Sequence, residues 1–211
     1  RKANETPKQA YEALGAFGGD DGLTRGLSAE NLTAAATDLG LKIKASTKTP
    51  GMPISFLARY YSPDVWSGDI QSCCDIGRQV SKLHTTGAHS DIEPLDILTA
   101  KCMGYYLSDG NTPVIGDYAT KLMHLKFGQP TLAQFNEFLD ATRTRSFLPW
   151  HLQCDLTDQY PNVYGPWMHD ILILTAPTFN YSVFANYLDT VTSLTQLLEF
   201  PLCTPIAGPP L

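Results

Sequence analysis

Two adjacent carboxylates, Asp20 and Asp21, lie in the stretch Phe17-Gly-Gly-Asp-Asp-Gly22, framed by three glycines, with Ala13, Leu14, Ala16 and Phe17 before them and Leu23 after. A solvated acidic loop needs no such framing, but a tight turn between two short strands does. Gly18 and Gly19 can take positive φ and admit a second backbone, while both carboxylates project from the tip. Hard cations such as Mg²⁺ or Mn²⁺ prefer oxygen ligands and commonly take one or two protein carboxylates, with water and substrate phosphate completing the shell. Two such ions about 4 Å apart can activate an attacking hydroxyl and stabilise a leaving oxygen. The tip cannot supply ligands for both ions, so a further acid from elsewhere is expected. The plainer reading is that Asp-Gly simply favours a hairpin turn. The D-x-D-x-D-G spacing of a calcium loop is absent.

The remaining reactive side chains form no local signature. His84, His89, His124, His151 and His169 show neither HxxxH nor HExxH spacing, and there is no GxSxG elbow. The five cysteines (Cys73, Cys74, Cys102, Cys154 and Cys203) are an odd set without CxxC spacing, and are expected to be reduced thiols of a cytosolic protein.

At 211 residues, with 43% apolar and 17% charged residues, the chain can bury one sizeable core. Its longest apolar stretch, Ile171-Leu-Ile-Leu-Thr-Ala-Pro177, is far shorter than the roughly 18 to 20 residues of a membrane span. The net charge of −6 argues against a surface that coats nucleic acid throughout. From Phe147 to Leu211 there is no Lys or Arg against five acids, so all 15 basic residues precede that point. Contact with a polyanion is therefore expected from the earlier part.

The elements that must position the doublet follow from caps and periodicity. Thr6 and Pro7 open a short helix to about Ala13, and Leu14 to Phe17 reads as a short buried strand or as the end of that helix. Ser28 caps a helix to about Leu39 that Gly40 ends. Leu41-Lys-Ile-Lys44 alternates like a strand, and Ile54-Ser-Phe-Leu-Ala-Arg-Tyr-Tyr61 reads as a further strand or hairpin arm. Helices are expected near 69–84, 91–108, 113–126, 131–144, 167–175 and 181–199. Ser90 with Glu93 supplies a capping box, and Thr112-Pro113 a cap and first-turn proline. This gives an α+β piece over residues 1–62, a helical domain over 63–200 and a flexible tail over 201–211.

FGGDDG, a helix, a strand bearing Lys42 and Lys44, a loop bearing Lys48, and then Phe56-Leu57-Ala58-Arg59-Tyr60-Tyr61 together resemble palm motifs C, D and E of RNA-dependent RNA polymerases from positive-strand RNA viruses. GGDDG with FLARYY and a long helical continuation is most similar to nodavirus-like replicases. The resemblance covers residues 1–62 with specific motifs and implies a partial palm of β-hairpins plus helix, followed by an all-α thumb. It implies that Asp20 ligates the catalytic metals and Asp21 assists, that Gly19 allows close approach of the primer end, and that Arg59 touches the phosphates of the nascent strand. It further implies a motif D lysine that protonates the leaving pyrophosphate. Counting from Gly40-Leu41, Lys48 fits that position best, with Lys44 as the alternative. Tyr60 and Tyr61 read as packing residues.

The family's first metal-binding aspartate, most of its ribose-reading helix and its fingers are not in this sequence. Because Arg1 is not an initiating methionine, the sequence reads as an internal or C-terminal fragment, inactive alone. Its partners would be template and primer RNA, nucleoside triphosphates and the missing upstream palm and fingers, in the host cytoplasm at replication membranes reached through parts outside this chain. Two competing readings are a non-enzymatic helical interaction module in which FGGDDG is only a turn, and a metal-dependent hydrolase of another phosphate substrate.

Overall fold

The computed structural model describes residues 6–12, 14–24, 26–85, 91–157 and 161–202. The chain is mixed in class, dividing into two compact units at Ile70/Gln71.

In the first unit, Pro7–Glu12 forms α1, with the Thr6 hydroxyl accepting from the Gln9 amide as anticipated for a cap. Two antiparallel hairpins follow. Ala16–Gly18 (β1) pairs with Asp21–Leu23 (β2) in the register Ala16↔Leu23, Phe17↔Gly22 and Gly18↔Asp21. Between the hairpins runs α2, Ala29–Asp38, capped by Ser28 and closed by Gly40 at φ +72°. The second hairpin joins Ile54–Phe56 (β3) to Arg59–Tyr61 (β4), with Ile54↔Tyr61, Ser55↔Tyr60 and Phe56↔Arg59 opposed. Among the described residues of this unit only Ala36, Ile54 and Ser62 are buried.

Two expectations fail in this unit. Leu41–Lys44 forms no strand: residues 41–49 are irregular, and Leu41 and Ile43 stay exposed. Alternation marks a sequence that could line a sheet, but a strand exists only where a neighbour takes its backbone hydrogen bonds. Leu14–Phe17 is not a buried strand either, since Leu14 lies outside β1 and both it and Phe17 are largely exposed.

The second unit is built around Pro94–Asp109 (α4) and Ile115–Phe127 (α5), which pack along each other. Helix α4 buries Ile97, Leu98, Ala100, Cys102, Met103 and Leu107. That spread is wider than one amphipathic stripe and marks a central helix. Around the pair lie Ile76–Lys82 (α3), Leu132–Thr142 (α6), Trp150–Gln153 (α7), Trp167–Thr175 (α8), Tyr181–Thr190 (α9) and Leu194–Glu199 (α10). Tyr118, Phe135, Met168 and Phe184 fill the spaces between them.

The helix starts differ from expectation in instructive ways. Residues 69–84 are not one helix, because Ser72–Cys74 is a fully buried strand segment (β5) and α3 starts after the Asp75 cap. The second unit is therefore not all-α. The expected 181–199 helix breaks at Val191–Ser193, where the Ser193 hydroxyl accepts from the Gln196 amide and starts α10. Thr112 does not cap α5; its hydroxyl donates to Asp109, and Val114, at φ +70°, precedes the helix while its N–H donates to Asp117. Ser90 of the expected capping box lies outside the described residues, and Glu93 stands at the start of α4 without a side-chain cap bond. Of the tail, Leu202 is buried, and residues 203–211 lie outside the described range.

A buried polar cluster ties β5 to the α4–α5 turn. Asp109, 1% exposed, accepts from the Cys74 N–H at 2.7 Å, the Ser108 hydroxyl at 2.8 Å and the Thr112 hydroxyl at 3.1 Å. Asn162 donates to the Ser72 carbonyl and the Thr112 hydroxyl, and accepts two hydrogen bonds from Asn111. No buried side-chain polar atom among the described residues lacks a partner, as a tightly packed interior requires.

Candidate functional site

The acidic doublet sits where the glycines predict. Because Gly18 opposes Asp21, the β1–β2 connection is the two-residue turn Gly19-Asp20. Gly19 stands at φ +67° and Asp20 does not share the left-handed region. Glycine at the first central position with positive φ only there is the pattern of a type II′ turn, whose twist matches that of the flanking strands. Asp20 is therefore the tip residue and Asp21 the first residue of β2, and both side chains are exposed. Gly18 is extended, contrary to the expectation that both leading glycines could turn left-handed.

The other glycines serve close approach. A Cβ on Gly15 would lie 1.6 Å from the Leu23 carbonyl oxygen, so only glycine lets the chain pass there. On Gly22 it would meet the Phe17 ring at 3.1 Å, which places that ring over the hairpin's one face. Strand residues alternate sides, so Gly18 and Asp21 share the opposite face. On that face the missing Gly18 side chain leaves a notch, and Leu57 fills it: a Cβ there would be 2.6 Å from Leu57 Cδ2 and 2.9 Å from Cδ1.

Leu57 belongs to the tip of the β3–β4 hairpin, a two-residue turn of Leu57 at φ +50° and Ala58 at φ +58°. Two consecutive left-handed residues make a type I′ pattern, which Asn-Gly ordinarily supplies. Residues with a Cβ cost about 1–2 kcal/mol each in that region. Nothing in the sequence marks this turn, and Leu57 was not among the predicted site residues. The next residue, Arg59, opens β4 and is half-buried, as are Tyr60 and Tyr61.

The structure thus joins Gly19, Asp20 and Asp21 on one tip and sets the Arg59 hairpin against the same unit's acidic hairpin through Leu57. Lys48 and Lys44 lie exposed in the irregular 41–49 segment, and among the described residues no ion pair joins either lysine to the doublet.

The tip presents two oxygen-donor side chains, Asp20 and Asp21, to solvent. Two exposed carboxylates on neighbouring residues fit the protein's usual contribution to an Mg²⁺ or Mn²⁺ shell. Among the described residues no group of three or more His, Cys, Asp and Glu could hold a metal ion.

Outside this tip, the His84 imidazole shares a hydrogen bond of 2.9 Å with the Tyr118 hydroxyl, and burial with nearby Lys101 pushes its pKa down. Burial also lowers the Lys101 pKa, and its ammonium donates to the carbonyls of Lys82, Leu83 and Thr85. Burial pushes the Tyr181 phenol up to about 12, assisted by Asp117, whose carboxylate accepts its hydroxyl. Cys73, Cys74 and Cys102 are buried thiols and Cys154 an exposed one. No described helix is long and apolar enough to cross a membrane.

Sequence comparison identifies the relatives of this arrangement. The RNA-directed RNA polymerase of Greasy grouper nervous necrosis virus is 38% identical over 121 residues, covering 56% of this chain and 12% of the viral protein. The RNA-directed RNA polymerase of Flock house virus is 31% identical over 151 residues, covering 71% of this chain and 14% of that protein. That of Pariacoto virus is 35% identical over 133 residues, covering 59% and 13%. The chain is a relative of nodavirus RNA-directed RNA polymerases. It spans about one-eighth of the length of these curated relatives. No family model matches this polymerase-like chain. No solved structure matches it significantly.

Proposed function

We propose that this chain is the later palm and thumb portion of a viral RNA-directed RNA polymerase, which adds nucleoside monophosphates to an RNA 3′ end. The observation that carries the reading is the doublet itself: Asp20 and Asp21 are held exposed at a glycine-built hairpin tip, beside a second hairpin that bears Arg59. The similarity to viral polymerases over more than half of the chain supports the same assignment.

In this reading Asp20 and Asp21 hold divalent ions, Mg²⁺ or Mn²⁺, together with an acid from the upstream palm. When bound, such ions activate the attacking 3′ hydroxyl and stabilise the leaving oxygen. The chain's own groups bind and orient. Gly19, with open space where a side chain would stand, lets the primer end approach the tip. Arg59 donates to phosphates of the nascent strand. Lys48, or Lys44 in its place, delivers a proton to the leaving pyrophosphate, and both side chains are exposed in an irregular segment.

The thin interior of the first unit supports a covering partner. Tyr11, Leu14, Phe17, Leu41 and Ile43 are exposed apolar side chains that a covering partner would remove from water. The upstream palm and fingers of the same polymerase are the proposed cover, with template, primer and nucleoside triphosphates as substrates.

The test is RNA extension by the full-length parent and its Asp20→Ala variant. Loss of synthesis on the order of a hundredfold or more is expected for removing a charge-stabilising group. Undiminished synthesis overturns the assignment.

A further inference from the structure

We propose that Leu57 is a positioning residue of the metal-binding tip: its side chain seats in the notch of Gly18 and fixes the orientation of Asp21, coupling the acidic hairpin to the Arg59 hairpin. This rests on the polymerase reading above.

Three observations converge on the pair. Leu57 Cδ2, Cδ1 and Cγ lie 2.6, 2.9 and 3.2 Å from the point where a Gly18 Cβ would stand, so the side chain covers the bare backbone of β1. Gly18 is the cross-strand partner of Asp21, and directly opposed residues place their side-chain roots about 5 Å apart on one face. Leu57 is therefore an apolar wall beside the root of the Asp21 side chain. Lastly, the Leu57-Ala58 turn adopts a conformation costly for both residues. Strain of this kind persists where surrounding structure holds it, and the seat on Gly18 is a contact that this tip makes with the strand opposite Asp21.

The consequence is geometric. A two-stranded ribbon without further support is marginally stable and its tip swings. With Leu57 in the notch, the tip moves only if the β3–β4 hairpin moves with it. Arg59 follows Leu57 by two residues, so the phosphate contact and the carboxylates keep a fixed offset. Misplacement of a reacting group by about 1 Å costs on the order of a hundredfold in rate.

The experiment uses the full-length parent with Gly18→Ala, Leu57→Ala, the double variant and Leu57→Met. The measurements are RNA-extension rate as a function of Mg²⁺ concentration and, separately, of nucleoside triphosphate concentration, with thermal stability alongside. Gly18→Ala alone is expected to slow extension by about tenfold to a hundredfold. Adding Leu57→Ala should restore a large part of that loss, because the shortened side chain frees the space that the new methyl needs. Leu57→Ala alone should raise the Mg²⁺ concentration for half-maximal rate several-fold while leaving the nucleotide dependence near wild type, and Leu57→Met should retain wild-type behaviour. Losses that multiply independently in the double variant overturn the proposal. Coupling seen in thermal stability with no change in Mg²⁺ dependence also overturns it, reducing the contact to packing. Should Gly18→Ala fail to fold, the Mg²⁺ profile of Leu57→Ala against Leu57→Met decides. Asp20→Ala run in parallel separates the two ideas: full activity there rejects the polymerase reading, whereas full coupling of Gly18 and Leu57 in melting is independent of it.

Discussion

Replacing Asp109 with alanine should cost the second unit more than any surface change, and the structure fixes the expected size. The carboxylate is buried and accepts from at least the Cys74 N–H, the Ser108 hydroxyl and the Thr112 hydroxyl. Removing it leaves Ser108 with the Gly104 carbonyl as an alternative acceptor at 2.9 Å. For the Cys74 N–H and the Thr112 hydroxyl proton the Asp109 carboxylate is the acceptor that the structure shows. Each buried donor left without an acceptor costs about 1–3 kcal/mol, so Asp109→Ala should lose about 4 kcal/mol. For a chain of this size 1 kcal/mol shifts Tm by about 2–4 °C, which gives a drop of about 8–16 °C. Asp109→Asn keeps the shape and one acceptor oxygen. Its amide faces a hydroxyl able to accept, so the loss should stay near 1–2 kcal/mol. Urea unfolding followed by far-UV circular dichroism, with melts on the same variants, measures both. A loss under about 1 kcal/mol for alanine, or equal losses for alanine and asparagine, would refute the claim that satisfaction of these donors anchors β5 to the helical pair.

Two further expectations concern charge. His84 has its pKa held below the ordinary value of 6.5 by burial and then by Lys101. Its charged form is thus favoured in the unfolded chain, which binds more protons as pH falls below about 6.5. Stability should be full above that value and decline below it; melts from pH 7.5 to 5.5 should show a smaller decline in His84→Gln, and an unchanged slope would contradict this. For the lysines, Lys48→Ala in the full-length parent should slow RNA extension by about a hundredfold, in line with loss of a general acid. Lys44→Ala should change it little, and the reverse order would move the role to Lys44.

What could be read from the sequence divides by the range of the forces involved. Ser28 and Gly40 were legible because caps and stops act within a turn of the chain. The acidic hairpin was legible for the same reason, since Gly19 carries the turn signal itself. The second tip was not, because Leu57 and Ala58 have no preference for the conformation they adopt, and contacts beyond the turn hold it. Leu41–Lys44 failed in the opposite direction: the local pattern is present, but no described strand pairs with it. The segment Ser72–Cys74 carries no alternation, and what fixes it is a set of partners distant in sequence, Pro161, Asp109 and Asn162. At the candidate site the doublet was visible in advance, whereas the Leu57 seat depends on spatial proximity that spacing does not encode.

The shortness of the Gly19-Asp20 connection also limits how this segment can diversify. Since neighbouring strand positions look to opposite sides, a residue inserted after Asp21 would displace Gly22 from its place opposite Phe17 and set a side chain against that ring, while Asp21 stayed opposite Gly18. Lineages and engineers alike can therefore exchange letters here more freely than they can alter the length.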